Sequence, residues 1–356
     1  MVVDKLILRP FAGGRQRSPK QSVIALAPWS WYTVSVTLTQ LEAFVLVARL
    51  GSVKAAASAL GVSEPAVSGA LAALRQQLSD PLITKTTSGM SLTAGGQRFV
   101  SIASQIVGLA AEGESVIRQA QGAPTRIRVA ATSTVAEFVV PPLLAAFAAR
   151  TANVETDIGV SESAEMAALL HERLADVSFG PRLTGDLAQG LTSEPMMRYG
   201  LVVVASPAHR LAETTGIKWP TLTKEDWLVA PSAMDPSNEI GMLLARLHVP
   251  AERIRVFPNQ TAAWAAAGQG EGVAPAISHL VSRDIERGLL RRLDVVSTPI
   301  QLLWYVSALP VKRRSPEVAT LLRFLTTPEA MQSMHRSDGA VPASRFRPPV
   351  YVTLWS

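Results

Sequence analysis

The chain has 356 residues, of which 48% are hydrophobic and 17% are charged. This length suggests two or three domains, and the apolar content is typical of globular chains. Because cysteine is absent, disulfides, thiolate nucleophiles and cysteine-based zinc sites are excluded. The net charge of +6 is compatible with nucleic-acid binding. However, a net of +4 falls within residues 1–36, so the charge alone does not establish DNA binding.

Residues 1–36 form a basic and then apolar extension, which we expect to be disordered. Its composition is similar to a signal peptide or a poor membrane anchor, but polar residues and a proline interrupt the apolar run and no small-residue cleavage site is evident. A translation start nearer Val34 or Val36 is a further alternative. We expect no membrane association.

Three short helices are predicted between residues 37 and 78, because apolar residues recur there at helical spacing. The first begins with the capping-box spacing of Thr39 and Glu42. Polar caps and glycines mark the other boundaries, namely Ser52 and Ser63 at helix starts and Gly51 and Gly61 at helix ends. A β-branched run over residues 81–86, a Ser88-Gly89 turn and residues 90–93 predict a two-stranded wing.

The second and third helices, joined by a short turn containing glycine, are typical of a helix-turn-helix, although a plain helical hairpin fits the same pattern. In such a unit the start of the second helix enters the major groove, where Glu64 can accept from a cytosine amino group. We expect Ser63, Glu64, Ser68 and Arg75 on the exposed side of that helix. The candidate DNA contacts are polar residues and helix-start residues, namely Ser52, Lys54, Ser63, Glu64, Pro65, Ser68, Arg75, Lys85 and Thr86.

The run from LTQLEAF to LTAGG resembles the N-terminal signature of LysR-type transcriptional regulators. The matching positions are Gly51, Ser52, Ala56, Ala57, Leu60, Val62, Ser63, Pro65, Ala66, Val67, Ser68, Leu92, Thr93 and Gly96. The chain departs from the family pattern at four places. The family usually has Gln where this chain has Glu64, Arg where it has Lys85, Leu-Glu where it has Leu74-Arg75, and Leu-Phe where it has Leu82-Ile83. Glu64 therefore predicts a different base preference.

Residues 93–122 predict a long linker helix capped by Thr93. Small and apolar residues follow one another in steps of four and three, namely Phe99, Ala103, Ile106, Ala110, Gly113, Ile117 and Ala120. About 28 helical residues span roughly 40 Å, and a helix of that length needs a partner for its apolar stripe. The resemblance implies an antiparallel pairing of two subunits, in a homodimer or tetramer. The alternative is that the helix packs on its own C-terminal domain.

Residues 125–310 alternate between strand and helix patterns, which indicates a parallel α/β sheet. The resemblance extends more loosely over this region and implies a two-lobed, periplasmic-binding-protein-like effector domain with a cleft between its lobes. A C-terminal helix over residues 311–335 and a tail over residues 336–356 complete the chain. The predicted fold class is therefore α/β with an N-terminal winged helix-turn-helix, which is mainly α.

Ligands of open α/β sheets bind at the carboxyl ends of strands, beside helix N-termini. Hydroxyls and free amides at those places suit a carboxylate or another small anion, although ordinary helix caps give the same pattern. The candidate effector contacts all lie at strand-to-helix junctions, namely Thr132, Ser133, Thr134, Ser161, Ser163, Ser232, Gln260 and Thr261.

The sequence contains no recognisable catalytic set: its five histidines are scattered, and the AGQGEG glycines follow a predicted helix instead of a strand. We expect no enzymatic activity, cofactor or metal. The resemblance predicts a cytoplasmic regulator whose effector changes lobe closure and the arrangement of dimers. DNA bending or contact with RNA polymerase would change in turn. The alternatives are a solute-binding module without DNA-binding function, and an enzyme.

Overall fold

The computed structural model describes residues 36–86, 89–235 and 238–335. The expectations for residues 1–35 and for the tail 336–356 lie outside these ranges. The fold is α/β, with an N-terminal winged helix-turn-helix, a long helix and a C-terminal domain built on a curled sheet.

The winged helix-turn-helix begins with three helices, which are α1 (Leu38–Leu50), α2 (Val53–Leu60) and α3 (Glu64–Leu78). Their apolar faces enclose one core, in which Phe44, Leu71 and Leu74 are almost completely buried. Gly51 and Gly61 end the first two helices in the left-handed conformation, with φ of 60° and 67°.

Helix α1 begins earlier than its capping pattern predicts. Thr37 Oγ1 accepts from the Gln40 amide and Gln40 Oε1 accepts from the Thr37 amide, so the capping box is Thr37 with Gln40. The prediction of Thr39 with Glu42 was therefore wrong. Both pairs have the required spacing, but the capping hydrogen bonds form at the earlier pair, so the helix begins there. Glu42 lies inside the helix, where partial burial, followed by the Glu114 carboxylate, raises its pKa.

The wing consists of the antiparallel strands β1 (Ile83–Thr86) and β2 (Gly89–Leu92), and helix α4 (Ala94–Ala120) follows it. Thr93 Oγ1 accepts from the Gly96 amide at 2.9 Å and donates to Asp80 Oδ1 at 2.8 Å. The same carboxylate oxygen accepts from the Leu82 amide at 2.7 Å. Asp80 therefore joins the end of α3, the base of the wing and the start of α4.

The C-terminal domain has a seven-stranded sheet with the order β10-β6-β11-β5-β3-β4, and β9 pairs with β6. Lobe 1 holds β3 (Thr125–Ala131), β4 (Val154–Val160) and β5 (Val177–Gly180), with helices α5 (Val140–Ala148) and α6 (Ser163–His171). Lobe 2 holds α7 (Trp219–Leu222), β7 (Trp227–Val229), α8 (Glu239–Arg246), β8 (Ile254–Val256), α9 (Gln260–Gly268), β9 (Ala274–Ile277), α10 (Ser282–Glu286) and β10 (Arg291–Arg292).

The long strands β6 (Thr192–Ala205) and β11 (Ile300–Ala308) run antiparallel through both lobes. Their register shifts between Trp304 and Tyr305, and the Trp304 ring stacks on Tyr199 with centroids 4.1 Å apart. One hydrophobic core covers the sheet on both sides of this point, from Phe147 in lobe 1 to Trp264 in lobe 2. The two lobes therefore share a sheet and a core.

Two helices, α11 (Pro316–Phe324) and α12 (Pro328–His335), close the described chain, where the sequence predicts one over residues 311–335. Both return to lobe 1: the Phe324 ring lies 5.6 Å from the Phe147 ring of α5, and Glu329 pairs with Arg150. A proline begins each helix, because a first-turn position needs no amide hydrogen.

Candidate DNA-binding surface and effector cleft

The start of α3 forms an exposed polar surface. Helices α2 and α3 meet at 108°, within the range of helix-turn-helix units. Ser63, Glu64, Pro65 and Ser68 are all exposed there. Among the described residues, none donates a capping hydrogen bond to the Ser63 side chain. Its hydroxyl is therefore available to form a hydrogen bond with a nucleic acid. Free amides at the helix start add a site for a phosphate.

The remaining candidates surround this surface. Ser52 Oγ accepts from the Ala55 amide at 3.3 Å as the cap of α2, and Lys54 is exposed in the first turn of that helix. Lys85 and Thr86 lie on the wing strand β1, but their side chains lie outside the described part of the chain.

The helical spacing predicts Arg75 on the exposed face of α3, but the structure does not place it there. It is half-buried, and its Nη2 donates to the Ile83 carbonyl oxygen of β1 at 3.4 Å. The exposure prediction was wrong because a long side chain at the end of α3 reaches the adjacent wing. The observed contact makes Arg75 a residue that holds the wing against the recognition helix.

Helix α4 carries an exposed apolar stripe, which we call the α4 stripe. Its large members include Ile106 and Leu109, which are 44% and 52% exposed. Steps of four and three connect the positions of the stripe, namely Ile102, Ile106, Leu109, Gly113, Val116 and Ala120. The predicted seam began elsewhere, at Phe99 and Ala103. Those two residues instead pack in the core of the winged helix-turn-helix, where Phe99 stacks on Phe44. By length and composition, α4 could also cross a membrane.

In lobe 1 the strand ends bring the predicted hydroxyl groups together. The Thr132 amide donates to the Phe179 carbonyl and the Ser161 amide donates to the Ala131 carbonyl, so the residues that follow β3 and β4 are neighbours. Ser161 is only 4% exposed, and its Oγ has no hydrogen-bond partner in the described part of the chain. A buried hydroxyl without a partner is costly unless a ligand or water satisfies it.

Ser133, Thr134 and Ser163 lie beside this pair. Ser133 and Thr134 are half-buried and lead into a helical turn at residues 135–139, before α5. Ser163 is half-buried in the first turn of α6. These hydroxyls therefore lie where two helices begin.

In lobe 2 the parallel strands β7 and β8 bring a second group of candidates to one edge. Ser232 lies in the turn after β7, and Gln260 and Thr261 open α9 after β8. Gln260 is buried, and its Nε2 donates to the Pro275 carbonyl of β9 at 3.1 Å. This bond anchors α9 to the sheet.

Thr261 links the two lobes directly. Its Oγ1 donates to Glu137 Oε1, which belongs to lobe 1, at 2.8 Å. Beside this bond the rings of Phe138 and Trp264 stack with centroids 5.4 Å apart. Burial raises the pKa of the Glu137 carboxyl, and the hydrogen bond from Thr261 opposes that rise.

Carboxylates flank the cleft at α6. Burial raises the pKa of Glu165, and the nearby charges of Glu162 and Asp235 raise it further, while Arg49 lowers it. Asp235 follows β7 in lobe 2, so acidic groups of both lobes face each other there. Local sequence patterns missed Glu137, Glu165 and Asp235, because their roles depend on contacts between lobes. Within the described residues, no group of three or more His, Cys, Asp or Glu side chains could hold a metal ion.

A winged helix-turn-helix joined to a two-lobed domain with a polar cleft defines a ligand-responsive DNA-binding regulator. Two family models match the chain: the bacterial regulatory helix-turn-helix protein of the lysR family over residues 38–97, and the LysR substrate binding domain over residues 120–328. The chain therefore belongs to the LysR family of DNA-binding transcriptional regulators, and its C-terminal domain is the effector-binding domain.

Relatives and solved structures agree with this family. An uncharacterized HTH-type transcriptional regulator of Mycobacterium tuberculosis is 34% identical over 324 residues, which are 90% of this chain and 100% of the relative. The transcriptional regulator CfxR of Cupriavidus necator is 29% identical over 315 residues, which are 87% of this chain and 98% of CfxR. Full-length CbnR complexed with its target DNA shares the fold with a TM-score of 0.55 at 22% identity, covering 83% of this chain and 99% of CbnR.

We predict that Thr261→Val raises the pKa of Glu137 further, because the hydrogen bond that favours the charged carboxylate is lost while burial remains. A raised pKa means that the folded state binds the proton more tightly than the unfolded state. Stability should therefore be lost over a wider pH range and by a larger total amount as the pH rises through the folded-state pKa of Glu137. A carbon-13 NMR titration of the carboxyl group measures the shift.

Thr320→Val is the control, because the hydrogen bonds of Thr320 Oγ1 stay within α11: it donates to the Pro316 carbonyl and accepts from Arg323 Nη2. If Glu137 titrates identically in the Thr261→Val variant and the native chain, the bond between the lobes does not form in solution.

Proposed function

We propose that this regulator reads its operator through the first turn of α3 and acts in the cytoplasm without enzymatic activity. The observation that carries this proposal is the exposed group Ser63, Glu64, Pro65 and Ser68 at a helix N-terminus, on the second helix of a helix-turn-helix. Such a helix start donates amides to phosphates, while side chains reach the base edges in the major groove. The DNA backbone on either side of this helix start would be contacted by Ser52, Lys54, Lys85 and Thr86. Arg75 would hold the wing in place.

Glu64 should determine a base preference, because a carboxylate accepts from the cytosine N4 amino group and a Gln side chain pairs best with adenine. We predict that Glu64→Gln changes the preferred base at one position of each half-site. The expected discrimination is about 1–3 kcal/mol per contact. Selection from a random DNA library, followed by binding measurements across a salt series, tests this preference.

Glu252→Gln is the matched control, because it removes the same charge from an exposed turn of lobe 2. An equal gain in general DNA affinity in both variants would reflect phosphate electrostatics alone. An unchanged preferred sequence in the Glu64→Gln variant would remove Glu64 from the base contacts.

We further propose that the effector carries a small anionic group, such as a carboxylate, bound beside Thr132, Ser133, Thr134, Ser161 and Ser163. The buried Ser161 hydroxyl without a partner supports this site, together with the helix starts that follow β3 and β4. The acidic groups Glu165 and Asp235 would repel an anion, so the anionic group would bind at the β3 side of the cleft. Ser232, Gln260 and Thr261 form the opposite wall.

An effector held by both lobes would favour the closed arrangement, since a ligand shifts an equilibrium only through its different affinities for two states. Closure would then alter how the subunits present their recognition helices, and with them DNA bending or contact with RNA polymerase.

Ser161→Ala separates ligand binding from stability. The substitution removes an unsatisfied hydroxyl, so we predict an unchanged or higher melting temperature without ligand. We also predict that it abolishes the thermal shift that small mono- and dicarboxylates give with the native chain. A ligand at about 100 times its dissociation constant stabilises the native state by about 2.7 kcal/mol.

Ser307→Ala is the control, because Ser307 Oγ lies 2.7 Å from Ser193 Oγ at a buried position elsewhere in the sheet. This variant should lose stability and keep the ligand shift. An equal carboxylate shift in the Ser161→Ala variant would refute the assignment of Ser161 to the site.

We propose that the chain forms a homodimer through antiparallel pairing of the α4 stripe, and that dimers can pair further into a tetramer. Exposed residues at heptad spacing along 27 helical residues support this pairing. Close helix contact is possible at Gly113, because no atom of the described chain lies within 4 Å of the place where a Cβ would be.

Leu109→Glu should convert the dimer to a monomer, because it places a charge in the centre of the stripe. Ala111→Glu is the control, since Ala111 is exposed on the same helix away from the stripe. Sedimentation velocity measures both masses. A Leu109→Glu variant that retains the mass of the native oligomer would exclude this interface.

A further inference from the structure

An ion pair joins the winged helix-turn-helix to lobe 1 of the same chain. Arg49, in the last turn of α1, pairs with the carboxylate of Glu172, which follows α6. The Arg49 guanidinium also lies 3.5 Å from Ser104 Oγ of α4. The Arg49 and Glu172 side chains are only 15% and 9% exposed. Water therefore screens this pair much less than a surface pair.

The backbone at the same place is packed just as closely. A Cβ at Gly108 of α4 would lie 2.5 Å from the Glu172 carbonyl oxygen and 2.8 Å from Arg173 Cβ. Arg173 also pairs with Glu112, one turn further along α4. Lobe 1 thus approaches α4 so closely that a glycine is required at the contact, and ion pairs hold it on either side.

Helix α6 connects this contact to the effector cleft. Its first turn carries Ser163 and Glu165, where Glu165 faces Asp235 of lobe 2. Its other end leads directly to Glu172, about 13 Å away along nine helical residues. A short helix moves as a rigid element, so a displacement of its first turn also displaces Glu172.

We propose that Arg49 and Glu172 form an intrachain latch that holds the DNA-binding domain against lobe 1, with α6 as the lever between the latch and the effector cleft. The latch fixes the direction in which α3 points relative to the effector domain. A movement of α6 on lobe closure opens or tightens the latch and so changes the separation of the two recognition helices in a dimer. This regulatory role rests on the proposed function, whereas the latch itself does not.

The absence of cysteine makes the latch measurable in the full-length chain. Spin labels on Ser58→Cys in α2 and Gln189→Cys in lobe 1 occupy exposed positions on either side of the contact. Labelled chains are diluted with excess unlabelled chain, so that double electron–electron resonance reports the distance within one chain. The measurement uses neither DNA nor effector, so its outcome is independent of the operator and ligand assignments.

We expect a single narrow distance distribution for the native chain. Glu172→Gln should lengthen and broaden it, because the charge of the Glu172 carboxylate no longer attracts the largely buried Arg49 guanidinium. Gly108→Ala should do the same without altering any charge, since the added methyl group collides with the Glu172 carbonyl. Alanine also has the higher helix propensity, so α4 should remain folded.

Gly113→Ala is the matched control on the same helix, where a Cβ meets no atom of the described chain within 4 Å. Arg128→Gln is the second control, because it removes an ion pair to Asp176 that lies within lobe 1. Both controls should retain the native distribution. A native distribution in both the Glu172→Gln and Gly108→Ala variants, or a broad distribution in the native chain, would overturn the latch.

Discussion

The pairing of β6 with β11 is the constraint on which the effector domain depends. These strands carry one sheet through both lobes, with β3, β4 and β5 on one side of them and β9 and β10 on the other. The cleft can therefore change only by bending these strands or by moving the elements attached to them. The register shift beside Trp304 and the stacked Tyr199 ring mark the place where the paired strands are irregular.

A comparable joint organises the DNA-binding end. Asp80 and Thr93 connect α3, the wing and the start of α4 through a shared carboxylate, so the recognition helix and the long helix are held together. Arg75 adds a bond from α3 to the wing. Because α4 also contacts lobe 1 at Gly108, movement in the effector domain has a short physical route to the recognition helix. The same helix leaves its apolar stripe open to a second subunit.

Residues far apart in the chain account for most of what sequence patterns missed. Arg49 and Glu172 are 123 residues apart, and Glu137 and Thr261 are 124 residues apart, so no periodicity or capping rule relates them. Arg75 was misplaced because helical spacing predicts a face but does not reveal that the wing covers it. The predicted α4 seam is wrong at its start for the same reason, since Phe99 and Ala103 pack in the neighbouring core. Its later members Ile106, Gly113 and Ala120 do lie in the α4 stripe. The start of α1 is ambiguous for a local reason, since two pairs of residues fit the capping-box spacing and the spacing alone does not choose between them.

The sequence by itself determined the class of the protein, the helix-turn-helix with the glycines that end its first two helices, the long helix and the strand-to-helix junctions that carry the candidate effector contacts. These features depend on neighbours within a few residues, where hydrogen bonding and apolar periodicity leave a readable pattern. Only the tertiary structure decided which of those side chains are available, which carboxylates face each other across the lobes, and which residue of α1 pairs with the end of α6. Such contacts depend on how separate elements pack, and packing is a property of the whole folded chain.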